Sequence, residues 1–323
     1  MPTARPLAAV DSRDAAAYGG HGWSPRRRSM REELGSLWTA CGIDSEWTTL
    51  RAVLLHRPGR ELAAADPDAA QMLDAPDPAL ATSQHDALAA RFSEQGVAVH
   101  LVDPAGTPAP NQMFVADLMF MTPAGAIVAR PASTVRAGEE RWIARRLADL
   151  GVPILRTVGG HGTFEGADAM WLDPRTVIIG IGLRTNADGA AQVAATLREQ
   201  GVDALIVDSP VGTMHLMGQF RMVDRDLAIV FHGRFAWRAV EALRERGFRV
   251  FFFPDPDEIR TGFAHNFVTL GPRRILMPEG NPVTRRFYEG HGIECVTVEI
   301  GELLKAAGAV GCLTGVVSRD AAG

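Results

Sequence analysis

The sequence predicts an α/β fold: a five-bladed α/β propeller of pseudo-repeated ββαβ units around a central channel. Three observations predict it. Five segments end alike, in a helical stretch closed by glycine and followed by a short β-branched or aromatic run: Gln95-Gly96-Val97 before AVHLVD, Leu150-Gly151-Val152 before PILRTV, Gln200-Gly201-Val202 before DALIVD, Arg246-Gly247-Phe248 before RVFFFPD, and His291-Gly292-Ile293 before ECVTVEI. Glycine there suits the left-handed position that closes a helix. These glycines lie 55, 50, 46 and 45 residues apart, a near-constant period of the kind repeat architectures show. Between the helices lie hairpin-like strand pairs, such as FRMVDRDLAIVF (220–231) and NFVTLGPRRILMPE (266–279).

In chain order, residues 1–48 read as an irregular N-terminal extension with one helix from about Ser29 to Trp38. Its basic cluster, Arg26, Arg27, Arg28 and Arg31, reads as a solvated helix entry, because Glu32 and Glu33 follow and cancel much of the field. Residues 49–323 read as one catalytic domain. Its helices are amphipathic: Ile143, Leu147 and Leu150 recur at i, i+4 and i+7, and Val240 and Leu243 share a face opposite arginines.

Composition narrows the function. Of 323 residues, 46% are hydrophobic and 22% charged, as in a folded soluble protein. No apolar run approaches the roughly 18 residues that span a bilayer, so a membrane is not an expected partner. Met-Pro-Thr-Ala-Arg has no apolar stretch behind it, so no secretory signal is expected. A net charge of −5 argues against nucleic acid. Cys41, Cys295 and Cys312 cannot form a disulfide framework, which points to a reducing cytoplasm. A homo-oligomer is compatible with the sequence.

Candidate chemistry falls at similar offsets in four repeats. Asp117 lies 21 residues after Gly96, Glu165 lies 14 after Gly151, His215 lies 14 after Gly201, and Cys312 lies 20 after Gly292. In a ring, these side chains meet at one axis, and cysteine, histidine and carboxylates together are a grouping for nucleophilic catalysis. Singly, each is bland. Cys312 reads as a small core hydrophobe, His215 as a structural histidine, and Glu165 to Asp168 as a polar turn. Asp117, inside MFVADLMFM, would be costly without a cationic partner. Cys295 alternates within a strand pattern, and Cys41 carries no signal. His85, His161 and His265 lack metal-ligand spacing, so no metal is expected. Gly159, Gly160 and Gly162 lack a nucleotide-binding pattern, and no cofactor is expected.

The motifs VLLHRPGREL (53–62), NQMFVAD (111–117), IVARPASTVRAGEE (127–140), FEGAD (164–168), GLRTNADG (182–189), HLM (215–217) and GCLTG (311–315) follow one another along the chain. On these motifs, over roughly residues 48–320, the chain resembles the guanidino-group modifying superfamily of arginine deiminases, dimethylarginine dimethylaminohydrolases and amidinotransferases. The resemblance implies the same five-bladed propeller. It implies Cys312 as nucleophile, His215 as general acid and base, Glu165 as the carboxylate supporting it, and Asp117 as the carboxylate gripping a guanidinium. It implies Asn111, Arg136 and Arg184 as holders of an α-carboxylate, and Asp168 as a mainly structural acid. The chain departs from the pattern at four places. Met217 stands where deiminases have a second aspartate, and Asn111 where the dimethylarginine hydrolases have aspartate. Ala307 stands where deiminases have arginine, and Ala116 where arginine or glutamate is usual. Met217 and Ala116 suggest a roomier pocket. The implied activity is a cysteine-dependent hydrolysis of free arginine or an N-substituted arginine through a covalent thiouronium, giving citrulline. The alternative is amidino transfer from arginine to an amine.

Overall fold

A computed structural model describes residues 13–253 and 256–322. Each of its five sheets has three strands, and each is an antiparallel pair, a hairpin in four of them, with a third strand added in parallel. The second sheet contains β3 (Met119–Thr122), β4 (Gly125–Val128) and β5 (Ile154–Thr157); the third contains β6 (Ala169–Asp173), β7 (Thr176–Ile181) and β8 (Asp203–Asp208). The fourth contains β9 (Phe220–Asp224), β10 (Leu227–Val230) and β11 (Arg249–Phe252); the fifth contains β12 (Val268–Gly271), β13 (Arg274–Pro278) and β14 (Glu294–Val298). The first sheet joins β1 (Leu50–Leu55) and β2 (Ala98–Leu101) to β15 (Gly315–Arg319), which pairs antiparallel with β1 across most of the chain. A late strand thus completes an early blade. The parallel step needs a crossover, and in each sheet a helix supplies it: α1 (Pro78–Glu94), α2 (Glu140–Asp149), α3 (Ala187–Arg198), α4 (Trp237–Glu245) and α5 (Pro282–Gly290). The expected ββαβ unit and the five-bladed α/β architecture are present.

The five period-setting glycines do what their positions require. Gly96, Gly151, Gly201, Gly247 and Gly292 have φ of 76, 74, 72, 82 and 75°. At each, the following N–H reaches back to the helix, as from Val97 to Phe92 (3.1 Å), Val202 to Leu197 (3.1 Å) and Ile293 to Tyr288 (3.1 Å). The two residues joined are both buried, so hydrogen bond and apolar contact close the helix together. This fixes where the chain turns into each third strand. Those strands are only half-buried, whereas β3, β4, β9 and β10 are almost wholly buried. Burial therefore deepens toward the hairpins. The stripe predicted on α2 is buried at Ile143 and Leu147, and that on α4 at Val240 and Leu243.

The chain divides into two compact units, residues 13–33 among those described, and Leu34 onward. The helix predicted from Ser29 to Trp38 is shorter, Met30–Glu33, and Gly35 with φ +75° stands just beyond it. The Arg26–Glu33 ion pair shows that part of the basic cluster is compensated locally. Residues 34–48, grouped by sequence with the extension, lie in the same unit as the sheets. Gly42 N–H donates to Val317 (2.9 Å) and Arg319 N–H donates to Gly42 (3.1 Å), which adds chain to the edge of β15. Among the described residues no helix is long and apolar enough to cross a membrane.

Candidate active site

One local structure recurs ahead of the buried hairpins. A single helical turn precedes β3 (Val115–Asp117), β6 (Gly166–Asp168), β9 (Leu216–Gly218) and β15 (Val310–Leu313). These turns touch one another in sequence around the axis. Asp117 sits within the first, Glu165 and His215 cap the second and third, and Cys312 lies in the fourth. The offsets read from the sequence thus mark the same turn in four of the five blades.

The four side chains converge. His215 Nε2 lies 2.6 Å from Glu165 Oε2 and 3.8 Å from Asp117 Oδ1. Cys312 and His215 line a cavity of about 200 Å³ with Met217, Phe263 and Asn266. Cys312 and Asp117 line a tighter one with Asn111, Arg136 and Arg184. Met214, Ala307 and Cys312 border both, so the sulfur stands where two cavities meet.

Second contacts fix these groups. Glu165 Oε1 accepts from the Ala132 N–H (3.1 Å) and faces Arg184 Nη1 at 3.5 Å, while Oε2 faces Arg136 Nη1 at 3.5 Å. Asp168 lies one bond further out. Its Oδ1 accepts from the Leu216 N–H (2.9 Å), next to His215, and its Oδ2 from the Thr185 hydroxyl (2.7 Å). Gly166 cannot carry a side chain, because a Cβ would collide with the carbonyl oxygens of Met119 and Ala116. That close approach brings Glu165 to Asp117.

Arg136 and Asn111 occupy more internal places than their implied role suggests. Arg136 is buried, with Nη1 2.7 Å from Asp117 Oδ2 and Nε and Nη2 2.9 and 2.8 Å from Glu139 Oε2. Its donors are spent on the protein's own carboxylates, and it is the cation that Asp117 required. Asn111 Nδ2 donates to the Ala70 carbonyl (2.7 Å). Arg184 is freer: among the described residues its ion pairing is limited to the long Glu165 contact. Asp117 Oδ1 is buried without a hydrogen-bond partner. Cys41 and Cys295 lie outside the cluster, half-buried, with thiols that burial pushes up to about 11 and about 12.

The sequence alone does not single out Asn266 or Glu139. Asn266 Nδ2 donates to Cys312 Sγ at 2.9 Å, and its Oδ1 accepts from the Cys312 N–H at 3.2 Å. A signal for it exists in the period: it lies 19 residues after Gly247, in the one repeat without a candidate. Its neighbour His265 is buried and lines the larger cavity; burial lowers its pKa to about 3, so it stays neutral.

The charges are arranged for acid–base work. Burial opposes the His215 cation, but Asp117, the hydrogen bond to Glu165 and Asp168 prevail and raise its pKa to about 9. Burial likewise opposes the Glu165 anion, yet His215, Arg136 and Arg184 hold its pKa below the usual carboxylate range. The resting pair is therefore imidazolium with carboxylate. Burial and then Asp117 push the Cys312 thiol up to about 11, while Asn266 and Arg221 favour thiolate. The resting sulfur is a neutral thiol. Asp117, Glu165 and His215 also bring one ligand atom each within 4.8 Å of one another, but Arg136 and His215 already supply cations to those carboxylates.

A family profile described as arginine deiminase matches residues 105–240. A dimethylarginine dimethylaminohydrolase of Streptomyces coelicolor is 32% identical over 239 residues, covering 74% of this chain and 86% of the relative. A crystal structure of a dimethylarginine dimethylaminohydrolase adduct with 4-chloro-2-hydroxymethylpyridine is 25% identical with a TM-score of 0.69, covering 82% of this chain and 99% of that one. An amidinotransferase of Microseira wollei shares the fold at 14% identity, with a TM-score of 0.71 over 87% of this chain and 97% of that one. With its five ββαβ blades, the chain belongs to the guanidino-group modifying superfamily, as a hydrolase of C–N bonds in linear amidines.

Proposed function

We propose that the protein hydrolyses the guanidinium group of free arginine or an N-substituted arginine through a covalent intermediate on Cys312, giving citrulline and ammonia or an amine. The observation that carries this reading is the meeting of Cys312, His215, Glu165 and Asp117 at the junction of two cavities.

A guanidinium carbon is a weak electrophile, because its charge is spread over three nitrogens and persists well above neutral pH. Asp117 orients the planar cation, its free Oδ1 accepting N–H donors in a charge-assisted pair. The incoming guanidinium then competes with Arg136 for Oδ2, one guanidinium replacing another. Arg136 so released joins Arg184 and Asn111 on the substrate's carboxylate end. A peptide-bound arginine has no such carboxylate and is a poor fit.

The bound cation also lowers the cost of ionising the Cys312 thiol, whose proton leaves to solvent because His215 is already protonated. The thiolate attacks the guanidinium carbon and forms a C–S bond. As the tetrahedral adduct collapses, the C–N bond breaks and His215 gives its proton to the departing amine. Glu165 holds the ring in place throughout. Water then adds to the thiouronium and gives one proton to the neutral His215, while its second proton passes to the sulfur as that departs. The C–S bond breaks, and the thiol and the ureido product separate. The cavity beside Met217 provides room for a nitrogen substituent, which favours substituted arginines. Transfer to an amine would share the same intermediate.

A panel of arginine, monomethyl-, dimethyl- and hydroxyarginine and guanidino acids, read for ureido product and released amine, tests the reading. Citrulline without any added acceptor is expected. Ornithine formed only with an acceptor amine would favour transfer, and full turnover by Cys312→Ser would remove the covalent step.

A further inference from the structure

A third cavity, of about 40 Å³, lies past Gly311 and does not include Cys312. Strands β6, β9, β12 and β15 all contribute to its wall, through Met170, Arg221, Thr269 and Arg319 among others. Its two arginines are buried, Arg221 6% and Arg319 7% exposed. Among the described residues no carboxylate lies within 4.0 Å of either guanidinium. Arg319 donates from Nη1 to the Thr48 carbonyl (2.7 Å), but its buried Nε has no partner. Arg221 has no hydrogen-bond partner among the described residues and rests with Cζ 5.2 Å from the Phe267 ring centroid.

A buried, unpaired cation is strongly disfavoured, and arginine does not escape by losing its proton at neutral pH. Glu46 lines the same cavity and offsets one of the two charges, while its Oε1 also accepts from the Trp171 N–H at 3.0 Å. One positive charge remains uncompensated, beside a space with unsatisfied N–H donors. We propose that this cavity binds a monovalent inorganic anion of about the size of chloride. A void that holds one water needs roughly 10–15 Å³ by this measure. The cavity of about 40 Å³ therefore has room for a halide. Gly311 is needed here, since a Cβ would come 2.5 Å from Asn266 Oδ1 and 3.0 Å from Arg221 Nη2. The proposal is independent of the reaction assigned above.

Crystals of the full chain grown in sodium bromide decide it. An anomalous peak between the Arg221 and Arg319 guanidinium groups is expected; density of water alone, without anomalous signal, overturns the proposal. In solution, replacing sodium gluconate by sodium chloride at constant ionic strength should raise Tm by about 2 °C. Arg319→Met should remove that rise, and an equal rise in the variant, or none in the native protein, also overturns it. Should the variant fail to fold, the bromide map of the native protein still decides between anion and water.

Discussion

Glu165→Gln separates the charge of this residue from its shape. The amide oxygen can still accept from His215, and the steric fit beside Gly166 is retained. The rise of the His215 pKa from 6.5 to about 9 corresponds to about 3 kcal/mol in favour of imidazolium. Asp117 and Asp168 supply part of this, but Glu165 is the hydrogen-bonded partner at 2.6 Å against 3.8 Å for Asp117. An opposite charge within a few ångströms typically shifts a pKa by about 1–3 units, so loss of the Glu165 charge should lower that of His215 by about one unit. The alkaline limb of kcat should therefore fall by about one unit, from near 9 toward 8. The sign also governs stability. Because the folded value lies above 6.5, the stabilisation from charged His215 is complete below pH 6.5 and lost as pH rises through 9. The assay is a pH–rate profile paired with an NMR titration of the His215 ring. An unmoved limb together with an unmoved titration would falsify the electrostatic account of His215. A shifted titration beneath an unmoved limb would assign the limb to another group.

Other expectations follow from particular contacts. Asn266→Ala removes the N–H held 2.9 Å from Cys312 Sγ, and iodoacetamide should alkylate Cys312 about tenfold more slowly at mildly alkaline pH; an unchanged rate would dismiss the contact. Asp168→Ala strands the Leu216 N–H and the Thr185 hydroxyl, a loss of about 2–4 kcal/mol by urea denaturation. A loss below about 1 kcal/mol would mean that other acceptors, such as water, serve both donors. Gly201→Ala meets no atom within 4 Å, so only its φ of +72° resists. It should cost about 1–2 kcal/mol and a few degrees of Tm. Gly166→Ala, by contrast, should yield no folded protein, and soluble, cooperative unfolding of that variant would contradict the close approach described above.

The fold is legible because its punctuation is local. A glycine closing a helix, an apolar residue after it and a hairpin beyond are all written within about thirty residues, and the repeat multiplies the signal. Cys312, His215, Glu165 and Asp117 are legible for a related reason, since each sits in one turn before a buried strand. Asn266 stands at the same offset but escapes notice, because an amide announces no chemistry alone. The pairing of Arg136 with Asp117 is not legible, because two residues nineteen apart in different turns give no pattern that separates an internal ion pair from a ligand contact. The helix at Met30–Glu33 is short because a basic run followed by acids promises a longer helix than the chain sustains before Gly35. The closure of the first sheet by β15 depends on register between residues about 270 positions apart, as from Leu50 to Arg319, and has no local trace.

That closure sets an order of events. Residues 310–313 hold the reactive sulfur, and the strand directly after them seals the ring against residues 50–55. During synthesis the acids and the imidazole emerge first, on an open arc, and the thiol arrives with the latch itself. On the proposed mechanism, a nascent chain carries three of its four reacting groups before the thiol arrives, and assembly of the catalyst coincides with the step that locks its architecture.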